Sequence, residues 1–307
     1  MSDSVFVTVP GTTSNLGPGF DCLGAALTLH NRFRFTRAAE TAPDVTIEVT
    51  GAEASRVVCD GSNLAYKAFT KFFQHIDKPV PPLHLAIELE VPLARGLGSS
   101  ATAIVAGLMG GNALAGSPLS REEVMAIAIG IEGHPDNVVP ALLGGCRLAA
   151  ADEGQWTICD VPCHPEVAMV LGIPDFEVST AEARRVLPSE YSRTDTIFNM
   201  AHLGLLLRGL ETGNPEWLRM ALKDRIHQPY RKSLMHGFEE VQRQAIAAGA
   251  YGVVVSGAGP TLLAIAHPDH TQKIAQIMGA TWDKLSIQSI VKVLSIDPEG
   301  TQVEGVG

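Results

Sequence analysis

The sequence predicts an α+β protein built from two domains. Three observations carry that expectation. Runs of alternating apolar and polar residues, the mark of half-buried strands, occur in both halves, interleaved with runs of helical length. At 307 residues the chain exceeds what one core usually serves. Around Ala151 to Pro165 it turns polar, with Asp152, Glu153, Gly154 and two prolines nearby. That composition marks a boundary, so the expected domains are 1–155 and 156–307.

In chain order, strands are expected at Phe6–Val9, Arg32–Thr36, Val45–Val49 and Leu83–Val91. In the last of these, Leu83, Leu85, Ile87, Leu89 and Val91 alternate with His84, Ala86, Glu88 and Glu90, a period of two. A helix is expected from about Asn63 to His75, and another across Val124–Ile131. The second opens on Ser120-Arg121-Glu122-Glu123, a capping box with Ser at the N-cap and Glu at N3. Gly144 to Leu148 starts a further strand. The second half offers a strand at Val167–Ile173 and helices at about Thr196–Leu210, Pro215–Lys223 and Leu234–Ala248. A hairpin-like pair follows at Val253–Val255 and Leu262–Ala266, then a helix from about Thr271 and a strand at Val291–Leu294.

Composition narrows the class. Hydrophobic residues make up 46% and charged ones 18%, the balance of a globular protein with a full core. The net charge of −10 argues against extended nucleic-acid binding. Met1-Ser2-Asp3-Ser4 has neither a basic region nor an apolar core, so no secretion leader is expected there. The small-apolar run Ala101–Gly116 falls short of the roughly 20 residues needed to span a bilayer, so a buried helix is expected and no membrane partner. Five cysteines, an odd count, suit reduced thiols in a cytoplasmic protein. Cys159, Cys163 and His164 lie close in sequence, but no second cluster follows at zinc-site spacing.

The most informative stretch is Val91-Pro92-Leu93-Ala94-Arg95-Gly96-Leu97-Gly98-Ser99-Ser100-Ala101-Thr102, set between a strand and a helix. A Gly-rich turn feeding a helix N-terminus offers free N–H groups and the positive end of the helix dipole, an anion site suited to phosphate. Ser99 and Ser100 add hydroxyls for a phosphate or a Mg²⁺ ion. Gly96-x-Gly98-x-x-Ala101 also fits the dinucleotide fingerprint, which requires a second strand ending in an acid roughly 20 residues on. Glu122 and Glu123 lie near that distance, but inside the capping box. No Gly-Lys pair exists for a Walker A loop.

Pro92-x-x-x-Gly96-Leu97-Gly98-Ser99-Ser100-Ala101 resembles the ATP-phosphate loop of the GHMP superfamily, the galactokinases, homoserine kinases, mevalonate kinases and phosphomevalonate kinases. Further blocks are similar to the homoserine kinases in particular. They are Pro10-Gly11-Thr12-Thr13-Ser14-Asn15-Leu16-Gly17-Pro18-Gly19-Phe20-Asp21, Glu132-Gly133-His134-Pro135-Asp136-Asn137 and Thr180-x-x-Ala183-Arg184. Gln228-Pro229-Tyr230-Arg231 and Ser256-Gly257-Ala258-Gly259-Pro260-Thr261 follow, in the family's order.

The resemblance implies an N-terminal nucleotide domain like ribosomal protein S5 and a ferredoxin-like C-terminal domain. It implies ATP-dependent phosphorylation of the L-homoserine hydroxyl in threonine biosynthesis, with Mg²⁺, by a cytoplasmic homodimer. It gives ATP to Asn63 and to Pro92 through Thr102, and Mg²⁺ to Ser100 and Glu132. Some homoserine kinases place the metal-binding glutamate about ten residues before the aspartate, where this chain has Ala126. The ligand is then Glu132 in a shorter loop, or another group. His134, Asp136 and Asn137 are the catalytic candidates. Asp136 can act as general base, or Asn137 can orient the hydroxyl without one. The same block also reads as a turn capping the next helix, and Asn63 as a helix cap.

Charge supports the substrate. Homoserine carries a carboxylate, an ammonium and a primary hydroxyl. Arginine forks bind carboxylates in bidentate fashion, which suits Arg184 and Arg231, with Arg185 a competitor for Arg184. Asp21 suits the ammonium, Asn15 and His134 the hydroxyl, and the Gly257 turn can close over the ligand. The alternatives are a mevalonate-type kinase, a nicotinamide-dependent oxidoreductase and a non-catalytic nucleotide binder.

Overall fold

The structure is a computed structural model, and residues 3–306 are described. Met1 and Ser2, on which part of the leader reading rests, lie outside the described residues, as does Gly307.

The first half opens on a long antiparallel pair, β1 (Ser4–Asn15) and β2 (Gly19–Arg37). Strand β3 (Val45–Gly51), helix α1 (Leu64–His75) and strand β4 (Leu83–Leu89) follow. β3 and β4 run parallel, so α1 is the crossover that such a pair requires. Helices α2 (Ser99–Leu114), α3 (Arg121–Glu132) and α4 (Pro135–Leu143) lead to strands β5 (Cys146–Asp152) and β6 (Gln155–Asp160). The second half runs β7 (Ala168–Pro174), α5 (Thr180–Arg185), α6 (Arg193–Thr212), α7 (Pro215–Ala221), α8 (Gln228–Arg231) and α9 (Phe238–Ala247). It closes with β8 (Gly252–Val255), β9 (Leu262–Ala266), α10 (Thr271–Lys284), β10 (Ser289–Leu294) and β11 (Gln302–Val306).

The first sheet has the order β11-β1-β2-β4-β3, with β5 beside β2 and β6 beside β5. The second has the order β10-β7-β9-β8, antiparallel throughout. Counted within that sheet the order is fourth, first, third, second, with helices after the first and third strands. That is the ferredoxin-like βαββαβ arrangement. Both halves mix helix and sheet, as the alternating sequence patterns predict.

Sheet membership differs from the expected division at 155/156. β6 pairs with β5 in the first sheet, and the far end of the chain returns to pair β11 with β1. The polar stretch at 152–155 is a hairpin turn, with Glu153 at φ +46. Turns and linkers share a composition, which is why the sequence suggested a boundary there. The chain passes between sheets later, after Asp160.

The two halves share a buried layer. Leu23 and Leu27 of β2 pack with Leu171 of β7, Leu206 of α6 and Ile265 of β9. A second core lies under α1 and α2, around Phe35, Phe69 and Phe72, and a third joins Trp282 of α10 to Val241 of α9. Local signals fix the helix starts. Asn63 caps α1, and Ser120 and Glu123 form the expected capping box on α3. Ser179 and Glu182 form another on α5. Each such cap contributes about 1 kcal/mol. No helix among the described residues is long and apolar enough to cross a membrane.

Helix α4 escapes a pattern search because Pro135 opens it and Pro140 sits inside it. Pro140 has no N–H, so the Asp136 carbonyl is released from the usual helical bond. β2 passes against that carbonyl at Gly24, where a Cβ would lie 1.7 Å from the oxygen. This close approach sets α4 against β2 and fixes where Asp136 and Asn137 stand.

Candidate active site

A cavity of about 310 Å³ opens between the two sheets. Ser14, Asn15 and Asp21 border it from the β1–β2 connection, residues 94–100 from the loop before α2, and Glu132 to Asn137 from the α3–α4 junction. Ser179, Arg184, Arg231 and Gly257 face them from the second half.

The loop turns through left-handed backbone at Ala94 (φ +52), Gly96 (φ +74) and Gly98 (φ +66). Helix α2 then starts at Ser99 without a capping side chain, so its first-turn N–H groups are left for a ligand. Gly98 is required: a Cβ would stand 2.0 Å from the Thr12 hydroxyl. That hydroxyl donates to Asn137 Oδ1 at 2.8 Å, and Asn137 Nδ2 donates to Ser14 Oγ at 3.1 Å. Loop, first strand and α4 are thus locked around Asn137.

Ser100 Oγ donates to Glu132 Oε1 at 2.8 Å, and both residues border the cavity. A hydroxyl and a carboxylate side by side make a pair of hard oxygen donors, the kind Mg²⁺ takes. Ala126 is exposed. Asp21, His134 and Asp136 form the one other grouping with metal-type donors among the described residues, but their atoms already serve each other and Arg184.

A second cavity of about 340 Å³ lies beyond the loop and shares Ala94, Ser99 and Ser100 with the first. Phe33, Val57, Val58, Asn63 and Leu89 line it. The Asn63 amide is engaged as the cap of α1 and donates to Val58 O at 2.8 Å, so it shapes this wall from within. Of the loop, Ala94, Arg95, Gly96, Leu97, Gly98, Ser99 and Ser100 border the first cavity, while Leu93 and Thr102 border the second. Ala101 is fully buried in the core. Pro92 lines a third cavity on the other side of the loop. The Arg95 guanidinium also turns away, to Pro174 O at 3.0 Å and Asp175 O at 2.6 Å.

On the opposite side Arg184 grips Asp21 at two points, 2.9 and 3.0 Å. Burial opposes the Arg184 charge, but Asp21 outweighs it and raises the guanidinium's pKa. Arg185 does not line the cavity, because neighbours on a helix point about 100° apart. Arg231 is buried, donating to Gly257 O at 2.8 Å and Ala183 O at 3.2 Å, and burial lowers its pKa. Both guanidinium groups lie over the Phe20 ring, at 5.9 and 5.2 Å from its centroid. Asn15 braces the site, donating to Gly257 O at 2.9 Å and accepting from Asp21 N at 3.0 Å.

His134 Nδ1 meets Asp136 Oδ1 at 2.5 Å, and its Nε2 lies 4.0 Å from Glu132. Burial works against His134 protonation, but the carboxylates of Asp136, Glu132 and Asp21 prevail and raise its pKa. Burial pushes the His227 pKa down, and this neutral ring bonds Gly17 O at 2.8 Å behind Phe20. Sequence reasoning passed over Thr12, Ser14 and Ser179. The signal for the first two is the hydroxyl run Thr12-Thr13-Ser14, all buried and so in need of polar partners.

The model of the GHMP kinases N terminal domain matches residues 63–145, and that of the GHMP kinases C terminal matches 206–284. A homoserine kinase of Nostoc sp. (strain PCC 7120) is 62% identical over 297 residues, 97% of this chain and 98% of that protein. The chain belongs to the homoserine kinase family of GHMP kinases. A second member, the homoserine kinase of Trichormus variabilis, is also 62% identical over 297 residues, 97% of this chain and 98% of that protein. The crystal structure of homoserine kinase from Cytophaga hutchinsonii superposes with a TM-score of 0.89 at 27% identity, covering 99% of this chain and 98% of that one.

Membership in the homoserine kinase family removes the dinucleotide reading, and the structure shows why the fingerprint misleads. From α2 the chain passes to α3 with no strand between them, and Glu123 is the N3 residue of the α3 cap.

Proposed function

We propose that this chain transfers the γ-phosphoryl group of ATP to the side-chain hydroxyl of L-homoserine, forming O-phospho-L-homoserine and ADP for threonine synthesis, with Mg²⁺ as the metal. One observation carries the substrate: the opposite charges of Arg184 and Asp21 face the same cavity as the phosphate loop. Homoserine exchanges that internal pair for two pairs of its own, carboxylate on Arg184 and Arg231, ammonium on Asp21. Mevalonate brings a carboxylate but no ammonium, and leaves Asp21 without its cation, a cost a polar site imposes on the wrong ligand.

Phosphoryl transfer needs alignment and charge stabilisation more than covalent help. The adenosine occupies the cavity beside Asn63, and the phosphates lie on the uncapped start of α2, with Ser99 and Ser100 between the two cavities. Ser100 and Glu132 hold Mg²⁺, which neutralises phosphate charge when bound. Asn137, held by Thr12 and Ser14, orients the acceptor hydroxyl. His134, with Nδ1–H donated to Asp136, presents Nε2 to take the hydroxyl proton.

The reading extends to a cytoplasmic homodimer. Five free thiols support a reducing compartment, and the exposed Ile197, Met200 and Met220 offer apolar contact surface. The function is tested by supplying Mg-ATP with homoserine, mevalonate or galactose in turn and following ADP. Homoserine is expected to drive ADP formation well above background. ADP formed with mevalonate or galactose, and none with homoserine, overturns the reading.

A further inference from the structure

We infer that Arg95 is a positioning residue that couples nucleotide binding to acceptor binding; the inference rests on the ATP and homoserine reading above. Arg95 is the one charged residue from Val91 to Thr102. A cation there is expected to meet a phosphate, yet its guanidinium is buried on the far side of the loop. Nε donates to Pro174 O at 3.0 Å, Nη2 to Asp175 O at 2.6 Å and Nη1 to Leu93 O at 3.0 Å. Nη1 also lies 3.1 Å from Glu177 Oε1.

Glu177 extends the link. The same oxygen stands 2.6 Å from Arg56 Nη2, and Arg56 Nη1 stands 2.6 Å from Glu53. Glu53 Oε2 in turn accepts from the Leu93 N–H at 2.6 Å, which closes a ring of four charges back onto the phosphate loop. Three segments meet at this ring. Residues 53–58 carry Val57 and Val58 of the nucleotide cavity, residues 93–100 are the phosphate loop, and residues 174–180 lead to Ser179, Thr180 and Arg184 of the acceptor cavity.

The consequence is energetic. ATP fixes the loop and the 53–58 segment. Through Arg95 and Glu177 that fixes the start of α5, and with it the direction of Arg184. Homoserine then binds a site already ordered, and by linkage the nucleotide gains the same factor from homoserine. Broken at Glu177, the ring opens and the coupling weakens, because only the carbonyl bonds of Arg95 still tie the loop to the 174–180 segment.

Calorimetric titration of homoserine with and without saturating Mg-adenylyl imidodiphosphate tests this, on wild type, Arg95→Met and Glu177→Gln. In wild type the homoserine Kd is expected to fall about 10-fold with nucleotide present, within the usual range of coupling. In Arg95→Met the ratio falls below about 3-fold, and in Glu177→Gln it falls to about 5-fold or less, with each ligand alone binding to Glu177→Gln as to wild type. Glu177→Gln carries the test if Arg95→Met is unstable, since its side chain is 42% exposed and the carbonyl bonds of Arg95 survive the change. A wild-type chain that binds both ligands without coupling, or a Glu177→Gln variant that keeps full coupling, overturns the inference alone. A wild-type chain that binds neither ligand overturns the functional reading beneath it.

Discussion

Arg184 and Asp21 hold one another at two points, 2.9 and 3.0 Å apart, joining helix α5 of the second half to the β1–β2 connection of the first. Both side chains are partly exposed, at 40% and 34%, so the pair adds little to stability. On the proposed reading its use is chemical: it holds ready a cation and an anion for the carboxylate and ammonium of homoserine.

Arg184→Ala is therefore expected to raise the KM for homoserine about 10- to 100-fold, the loss of a charged hydrogen bond, while the KM for ATP stays within about 2-fold. Its melting temperature should barely move. Arg231→Ala should weaken homoserine similarly but also destabilise the fold, because Gly257 O and Ala183 O lose their donor in a buried place. Steady-state kinetics with thermal melts separate the two. Equal effects on both KM values would remove either residue from the acceptor pocket.

The Ser100–Glu132 contact gives a metal prediction. Glu132→Gln keeps the shape but removes the charge, so the Mg²⁺ concentration for half-maximal rate should rise about 10-fold or more at fixed ATP. An unchanged titration places the metal carboxylate elsewhere.

His134 carries a pH signature. Its folded pKa is raised above the roughly 6.5 of an unfolded chain, so the protonated ring stabilises the fold. That contribution is complete below about pH 6.5 and disappears as pH rises through the folded pKa. His134→Gln should thus show its largest stability deficit in urea melts at acidic pH, shrinking towards alkaline pH. The rate behaves oppositely, because the proton acceptor must be neutral. In wild type kcat should climb through the raised pKa, and in His134→Gln that limb should vanish. A deficit that grows with pH contradicts the assignment.

Gly98→Ala should damage the whole site. The added Cβ meets the Thr12 hydroxyl at 2.0 Å, in a backbone conformation that alanine resists. Thr12 must move and release Asn137, so kcat should fall about 10- to 100-fold while the KM for homoserine changes little. A variant that retains wild-type kcat detaches Asn137 from catalysis.

Much of this was legible in the sequence. The alternation at 83–91 gave β4, the Ser120–Glu123 box gave the start of α3, and the glycines at 96 and 98 gave the uncapped start of α2. What was hidden depends on partners far along the chain. The early part of β2, residues 23–27, is buried on both faces and bears no alternation, so no strand was expected there. β11 is short and exists by pairing with β1. The resemblance gave Arg95 to ATP together with the rest of the loop. Its side-chain direction is set by carbonyls at Pro174 and Asp175, which no local pattern reveals. Arg185 competed in sequence with the motif residue Arg184, and the phase of α5 puts Arg184 and not Arg185 at the cavity.

The central claim is tested most directly by phosphorus NMR of a reaction containing only this protein, Mg-ATP and L-homoserine. The account expects ADP and a phosphate ester on the homoserine side-chain oxygen to appear in equal amounts. ATP left intact, or cleaved to free phosphate with homoserine unchanged, would contradict it.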